Sequence, residues 1–224
     1  MRLARHFSVK SVFIVALTLF VVACSASAGF NFPRPTPGSL VLGETTMAQA
    51  VAKFGDPFSR RTVQSHHTQT HKPPGLRRAA VPGTFETIMY VYTYASGGPT
   101  PSMITTRVRS MSLSFWNGTL VFSSYLSTFA DDSTDYDETR TSAFVRGQTT
   151  RADVVAALGQ PGGEGIYPHV ARQGTQLLSY QHYSSGPTRR EPTVKNLELL
   201  FDASGRLEDI YFANEMRPLL QRDP

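Results

Sequence analysis

The side chains with the types for chemistry fall in three places along this 224-residue chain. His66, His67 and His71 lie between Arg60 and Arg78, a stretch with five Lys or Arg and no acid. Two imidazoles spaced i, i+4 or i, i+5 could share a metal ion if a helix held them together. Pro73-Pro74 opposes a helix, and no acidic residue stands near in sequence to complete the ligand set. The stretch therefore reads as a polar loop, with no metal expected. Its one-sided charge suggests a milder role, in which Arg60, Arg61, Arg77 and Arg78 meet lipid headgroups or an acidic partner. The second place is the acidic run from Asp131 to Glu138. It lacks the central glycine and the terminal glutamate spacing of an EF-hand loop, so a solvated linker over 131–144 is the expectation. The third is Cys24, the single cysteine. No Gly-x-Ser-x-Gly elbow and no His-Glu-x-x-His helix occurs. Neither a catalytic residue nor a cofactor is expected, and the chain does not read as an enzyme.

Cys24 gains meaning from what precedes it. Arg2, Arg5 and Lys10 form a positive head, and Val12 to Ala23 runs apolar apart from Thr18. That run is too short to span hydrocarbon, which needs roughly 20 residues, so residues 1–23 read as a signal peptide. Ala23 followed by Cys24 resembles the bacterial lipobox, with Val21 and Val22 in place of its commoner residues. The resemblance implies cleavage before Cys24 and acylation of its thiol and amine. Several acyl chains, at about 0.8 kcal/mol per buried CH2, hold a protein on a membrane almost permanently. Ser25 is not the aspartate that retains such lipoproteins in the inner membrane. The resemblance thus implies a lipid anchor in the outer membrane, facing the periplasm. A lipidated Cys24 leaves no thiol for disulfide, redox or thiolate-metal chemistry. Removing the signal also removes three basic residues, leaving 19 basic against 17 acidic and a net charge of +2. That balance gives no support to nucleic-acid binding.

The elements that would position any site repeat. Gly43-Glu44-Thr45-Thr46 through Gly55-Asp56-Pro57 lies over Gly147-Gln148-Thr149-Thr150 through Gly159-Gln160-Pro161, at a constant offset of 104. Thr46 with Gln49, and Thr150 with Asp153, have the spacing of a capping box. Met47, Val51 and Phe54 form one apolar stripe, matched by Val154, Val155 and Leu158. Gly55 and Gly159 stand where a left-handed residue would end a helix of about nine residues, and Pro57 and Pro161 bar its return. Alternating strands follow: Ile88 to Tyr94, a strand with Met111, Leu113 and Phe115 on one face, and Thr119 to Tyr125 after an Asn117-Gly118 turn. Gln176 to Tyr183, Val194 to Phe201 and Leu207 to Phe212 repeat the plan. The expectation is an α+β fold of two tandem modules, residues 41–130 and 145–215, each a short N-terminal helix packed on a three-stranded antiparallel meander. Residues 24–40 would be the lipidated N-terminus and a loose tether, and 216–224 a tail.

The lipobox, the Gly-x-Thr-Thr-(x)4-Val-x-x-(Phe/Leu)-Gly-x-Pro helix motif and a Tyr-rich strand before a meander together resemble the BamE (SmpA/OmlA) lipoproteins. That resemblance implies a small outer-membrane lipoprotein related to β-barrel assembly. The same layout in tandem resembles the β-lactamase-inhibitor-protein arrangement. Two functions follow as expectations: an envelope scaffold that holds a protein partner, or a binder or inhibitor of a soluble enzyme or ligand through a concave two-sheet surface.

Overall fold

The computed structural model describes residues 25–64, 72–97, 104–184 and 193–212. Strand β1 is Ala26–Ala28, helix α1 Met47–Phe54, β2 Ser59–Gln64, β3 Thr84–Gly97, β4 Ile104–Trp116 and β5 Thr119–Ser127. Helix α2 is Arg151–Leu158, followed by β6 Gly163–Ile166, β7 Gln176–Ser184, β8 Thr193–Phe201 and β9 Leu207–Phe212. Short 3-10 turns occupy Pro74–Leu76 and Glu138–Ala143.

Among the described residues nine strands join one sheet in which every pairing is antiparallel. From β3 to β9 its order follows the chain, and β1 and β2 both pair with β3. This corrects the expectation of two helix-plus-meander modules. The joint is β6, which the sequence did not announce: Ser124 pairs with Gly163 and Phe122 with Gly165 on one side, and Gly163 pairs with Ser179 on the other. The approach to β5 is close. A Cβ on Gly163 would stand 2.6 Å from the Ser123 carbonyl oxygen, so only glycine fits there. A four-residue strand with two glycines has neither the β-branched content nor the length of an ordinary strand.

The two helices lie on one face. Each has eight residues, too few to persist alone in water, so caps and packing must hold them. Thr46 and Thr150 accept from the backbone N–H groups of Gln49 and Asp153, while the Gln49 and Asp153 side chains accept from the cap backbone in return. Asp153 thus serves where a longer side chain is usual. Under α1, Ala50 and Phe54 pack with Ile88, Tyr90, Met111, Leu113 and Phe115. Under α2, Val154 and Leu158 pack with Leu178, Tyr180, Leu197, Leu199 and Phe201. Met47, Val51 and Val155 are only partly buried; the innermost position of α1 is Ala50. Gly55 and Gly159 end the helices at φ 78°, ψ −168° and φ 84°, ψ −169°. That is not the left-handed helical region expected but an extended one that essentially only glycine enters.

The opposite face is covered by residues 72–82, which place Leu76 against Val170, Leu177 and Leu200, and by the turn after β6. Leu177 and Leu178, consecutive on β7, serve opposite layers as the pleat requires.

Two segments expected to be solvated are built in. Ala26–Ala28 pair with Thr93–Ala95, and Phe32 is 1% exposed, packed edge-on to Tyr90 and Tyr125. The acidic run stitches elements together through Arg109 on β4, which is 7% exposed. Its guanidinium donates to Asp132 (2.8 Å), Asp131 (3.0 Å) and Asn31 (2.5 Å) and lies 4.2 Å over Phe129. Asp132 also accepts from Tyr125 and Ser127. Burial alone would raise the Asp132 carboxyl, but these hydrogen bonds outweigh it and hold the group below the usual carboxylate range. Asp135 accepts from Lys195 at 2.7 Å, and Tyr136 is buried beneath α2. Among the described residues no helix is long and apolar enough to cross a membrane.

Candidate binding cleft

A cleft of about 680 Å³ opens on the helix face, between the chain leading into α1 and the side of α2 that carries Arg151 and Val155. Tyr125 of β5 and Glu164 and Ile166 of β6 line it from the sheet. One wall is Pro35 to Leu42, and the other is Arg151 and Val155 of α2 with the Gln160–Gly162 turn. The concavity thus draws on both halves of the sequence repeat.

Each wall has a local cause. Thr45 accepts from the Val41 backbone N–H at 2.8 Å, and Gly43 donates to the Leu120 carbonyl, which ties the first wall to the start of β5. Thr149 and Gly147 repeat these bonds with Val145 and Leu207. Arg34 then spans the cleft's end: one guanidinium nitrogen donates to the carbonyls of Gln160 and Pro161, each at 2.9 Å. Its charge lies 5.9 Å over the Tyr125 ring. Desolvation lowers its pKa, partly countered by Tyr125 and Asp132. Arg151 of α2 pairs with Glu164 of β6 at 2.5 Å, both about two-fifths exposed. The site therefore offers walls of mixed apolar and polar character and one exposed ion pair. Among the residues that line it, no nucleophile stands beside a base.

The residues singled out in the sequence lie elsewhere. Cys24, His66, His67 and His71 are outside the described residues. Arg60 and Arg61 are exposed on the edge strand β2 and point to opposite faces. Arg77 donates to the Lys72 carbonyl, and Arg78 is half-buried with its guanidinium 4.4 Å over Phe85. The four arginines therefore do not form one patch. Among the described residues no group of three or more His, Cys, Asp or Glu is arranged to hold a metal ion. Arg34 carried no signal in the sequence, since it stands in a Pro-rich segment that resembles a linker.

A buried polar cluster lies on the other face. His169 stacks on Phe122 with ring centroids 4.0 Å apart, and burial, then the charges of Lys72 and Arg78, press its pKa well below the ordinary value. Glu198 accepts from Ser179 at 3.2 Å, and burial pushes its carboxyl up to about 7 against the pull of Lys72.

No protein-family model matches the chain, and no curated protein matches it. Among solved structures, the chain is similar to one described as a "putative beta-lactamase inhibitor protein" from Streptococcus mutans. The two share 12% identity over 76% of this chain and 83% of that one, with a TM-score of 0.40. The BamE likeness read from the sequence has no counterpart among family models.

Proposed function

We propose that this protein is a non-catalytic binding protein of the bacterial envelope, anchored through an acylated Cys24, that receives a segment of a protein partner in the cleft between residues 35–42 and α2. The observation that carries the reading is the cleft itself, a concavity of about 680 Å³ bounded by both halves of the chain. Its size falls in the range of sites that bury most of a ligand's surface. The exposed apolar residues favour it over a flat docking patch. Phe30 follows β1, Phe58 precedes β2, Met89 is on β3, Val145 precedes α2, and Tyr183 and Val194 end the β7–β8 hairpin. They are spread along the sheet and do not mark one end as a docking face. The signal peptide and lipobox support the anchor and the outer-membrane address. The BamE-like helix motif supports a place among envelope lipoproteins, and a barrel-assembly partner is the candidate it suggests.

A photo-crosslinking residue placed at Val155 or Ile166 in the full-length protein, in its native envelope, tests the reading. Adducts to a defined protein from these two positions, and not from Phe58 or Val194, are expected. Adducts from Phe58 or Val194 alone would reject the cleft. The anchor is tested separately: the Cys24→Ala variant should leave the membrane fraction, and one that remains there as the parent does would exclude lipidation.

A further inference from the structure

We propose that Arg61 and Arg78 form a binding site for a phosphate group on the sheet face opposite the cleft. Arg61 of β2 pairs with Thr87 of β3, and Val63 with Phe85, so Arg61 stands diagonally beside Phe85 on the same face. Arg78 lies over that ring at 4.4 Å. Its Nε is sealed from solvent and has no hydrogen-bond acceptor. What remains open to a ligand is the outer edge of the guanidinium. The charge of Arg61 bears directly on Arg78, and both it and burial disfavour the cation there. Holding two like charges together, one of them half out of water, costs free energy that an anion would recover.

Among the described residues no carboxylate is paired with either guanidinium. From Pro57 to Phe85 there is no Asp or Glu. The carboxylate whose charge reaches this region is Glu198, and it bears on Lys72 rather than on Arg78. Glu198 and Lys72 bear on each other, and among the described residues no ion pair joins Arg61 or Arg78 to a carboxylate. A phosphate monoester, dianionic near neutral pH, matches the two guanidinium charges, and its oxygens suit the paired donors of an arginine fork. A single carboxylate would leave one charge unmet. His169 beside them stays neutral and adds no competing charge. Arg60, on the other face of β2, takes no part. The site is independent of the cleft.

Calorimetric titration of the full chain carrying Cys24→Ala tests the assignment, with inorganic phosphate as the probe against chloride at matched ionic strength. Vesicles containing phosphatidic acid, against pure phosphatidylcholine, separate a soluble phosphate from a lipid headgroup. Saturable binding to either probe is expected, lost at least tenfold in Arg61→Ala and retained in Arg60→Ala. Arg78→Ala should lose it too, with a thermal melt to show that the variant folds. Should that variant unfold, Arg78→Lys, which keeps one charge but not the fork, is expected to bind more weakly than the parent. Binding no better than chloride by both probes, or Arg61→Ala and Arg60→Ala behaving alike, would overturn the proposal.

Discussion

Tyr180 of β7 donates its hydroxyl hydrogen to the Gly159 carbonyl at 2.9 Å, fastening the end of α2 to the sheet. Tyr90 of β3 does the same for Gly55 at the end of α1, at 3.0 Å. A helix leaves its last carbonyls without intrahelical donors, and here the sheet supplies one. Burial, the largest influence on both phenols, raises their pKa values, so each remains a protonated donor at neutral pH.

Tyr180→Phe is therefore expected to lower stability by about 1 kcal/mol, the net worth of a hydrogen bond whose acceptor loses its partner. Tyr90→Phe should cost a similar amount, because Gly55 and Gly159 are both exposed to water. Urea unfolding monitored by circular dichroism checks both. No change in either midpoint would show that the bonds merely replace water.

Gly159→Ala should be costlier. Its φ of 84° with ψ of −169° is a conformation that a side chain resists at about 1–3 kcal/mol. Nothing lies within 4 Å of where the new Cβ would stand, so the penalty is backbone strain rather than collision. A melting temperature equal to the parent's would contradict that account.

Arg109 holds β4, the residues after β1 and the acidic run in one network. Arg109→Met leaves Asp132 largely buried with its charge unbalanced, at an expected cost of about 3 kcal/mol. Limited proteolysis should then cut between Phe129 and Asp137 before it cuts the sheet. Resistance equal to the parent's would show that Tyr125 and Ser127 suffice to hold the run.

Acid and neutral pH act on two carboxyls in opposite senses. Asp132 titrates below its ordinary value when folded, so its contribution is present above pH 4 and is lost as pH falls through the carboxylate range. Glu198 titrates near 7 against an ordinary 4.5, so the folded state binds the extra proton. Stability from this group declines as pH rises from about 4.5 to 7, and the penalty is complete above that. Glu198→Gln should remove the decline and raise stability at pH 8 by about 1–3 kcal/mol. A pH series of urea midpoints in which parent and variant run parallel would refute it.

The sequence made the strongly patterned elements legible and hid those made of small residues or single side chains. Both capped helices could be read from Thr46, Gln49, Thr150 and Asp153, because capping needs particular atoms at a fixed spacing. The Asn117-Gly118 turn could be read because both residues take positive φ. Strand β6 could not, since two of its four residues are glycine and its role is to let neighbouring backbones approach. Nor could Ala26–Ala28, whose composition is that of a tether until β3 offers a partner. For the candidate site, the repeat pointed to a surface drawn from both halves, but its wall at Pro35–Leu42 depends on the bond from Gly43 to Leu120, and the clasp of Arg34 on carbonyls 126 and 127 residues away.

The glycine-bearing strand β6 has one more effect. Because it ladders onto both neighbours, the floor of the cleft is a continuous run of backbone hydrogen bonds with no hinge between the two halves. A guest would meet a shape already formed, so little conformational entropy would be lost in the host on association. Discrimination would then rest on the guest's contour and its fit to the Arg151–Glu164 pair, with the entropic cost of ordering falling on whatever segment the guest extends into the groove.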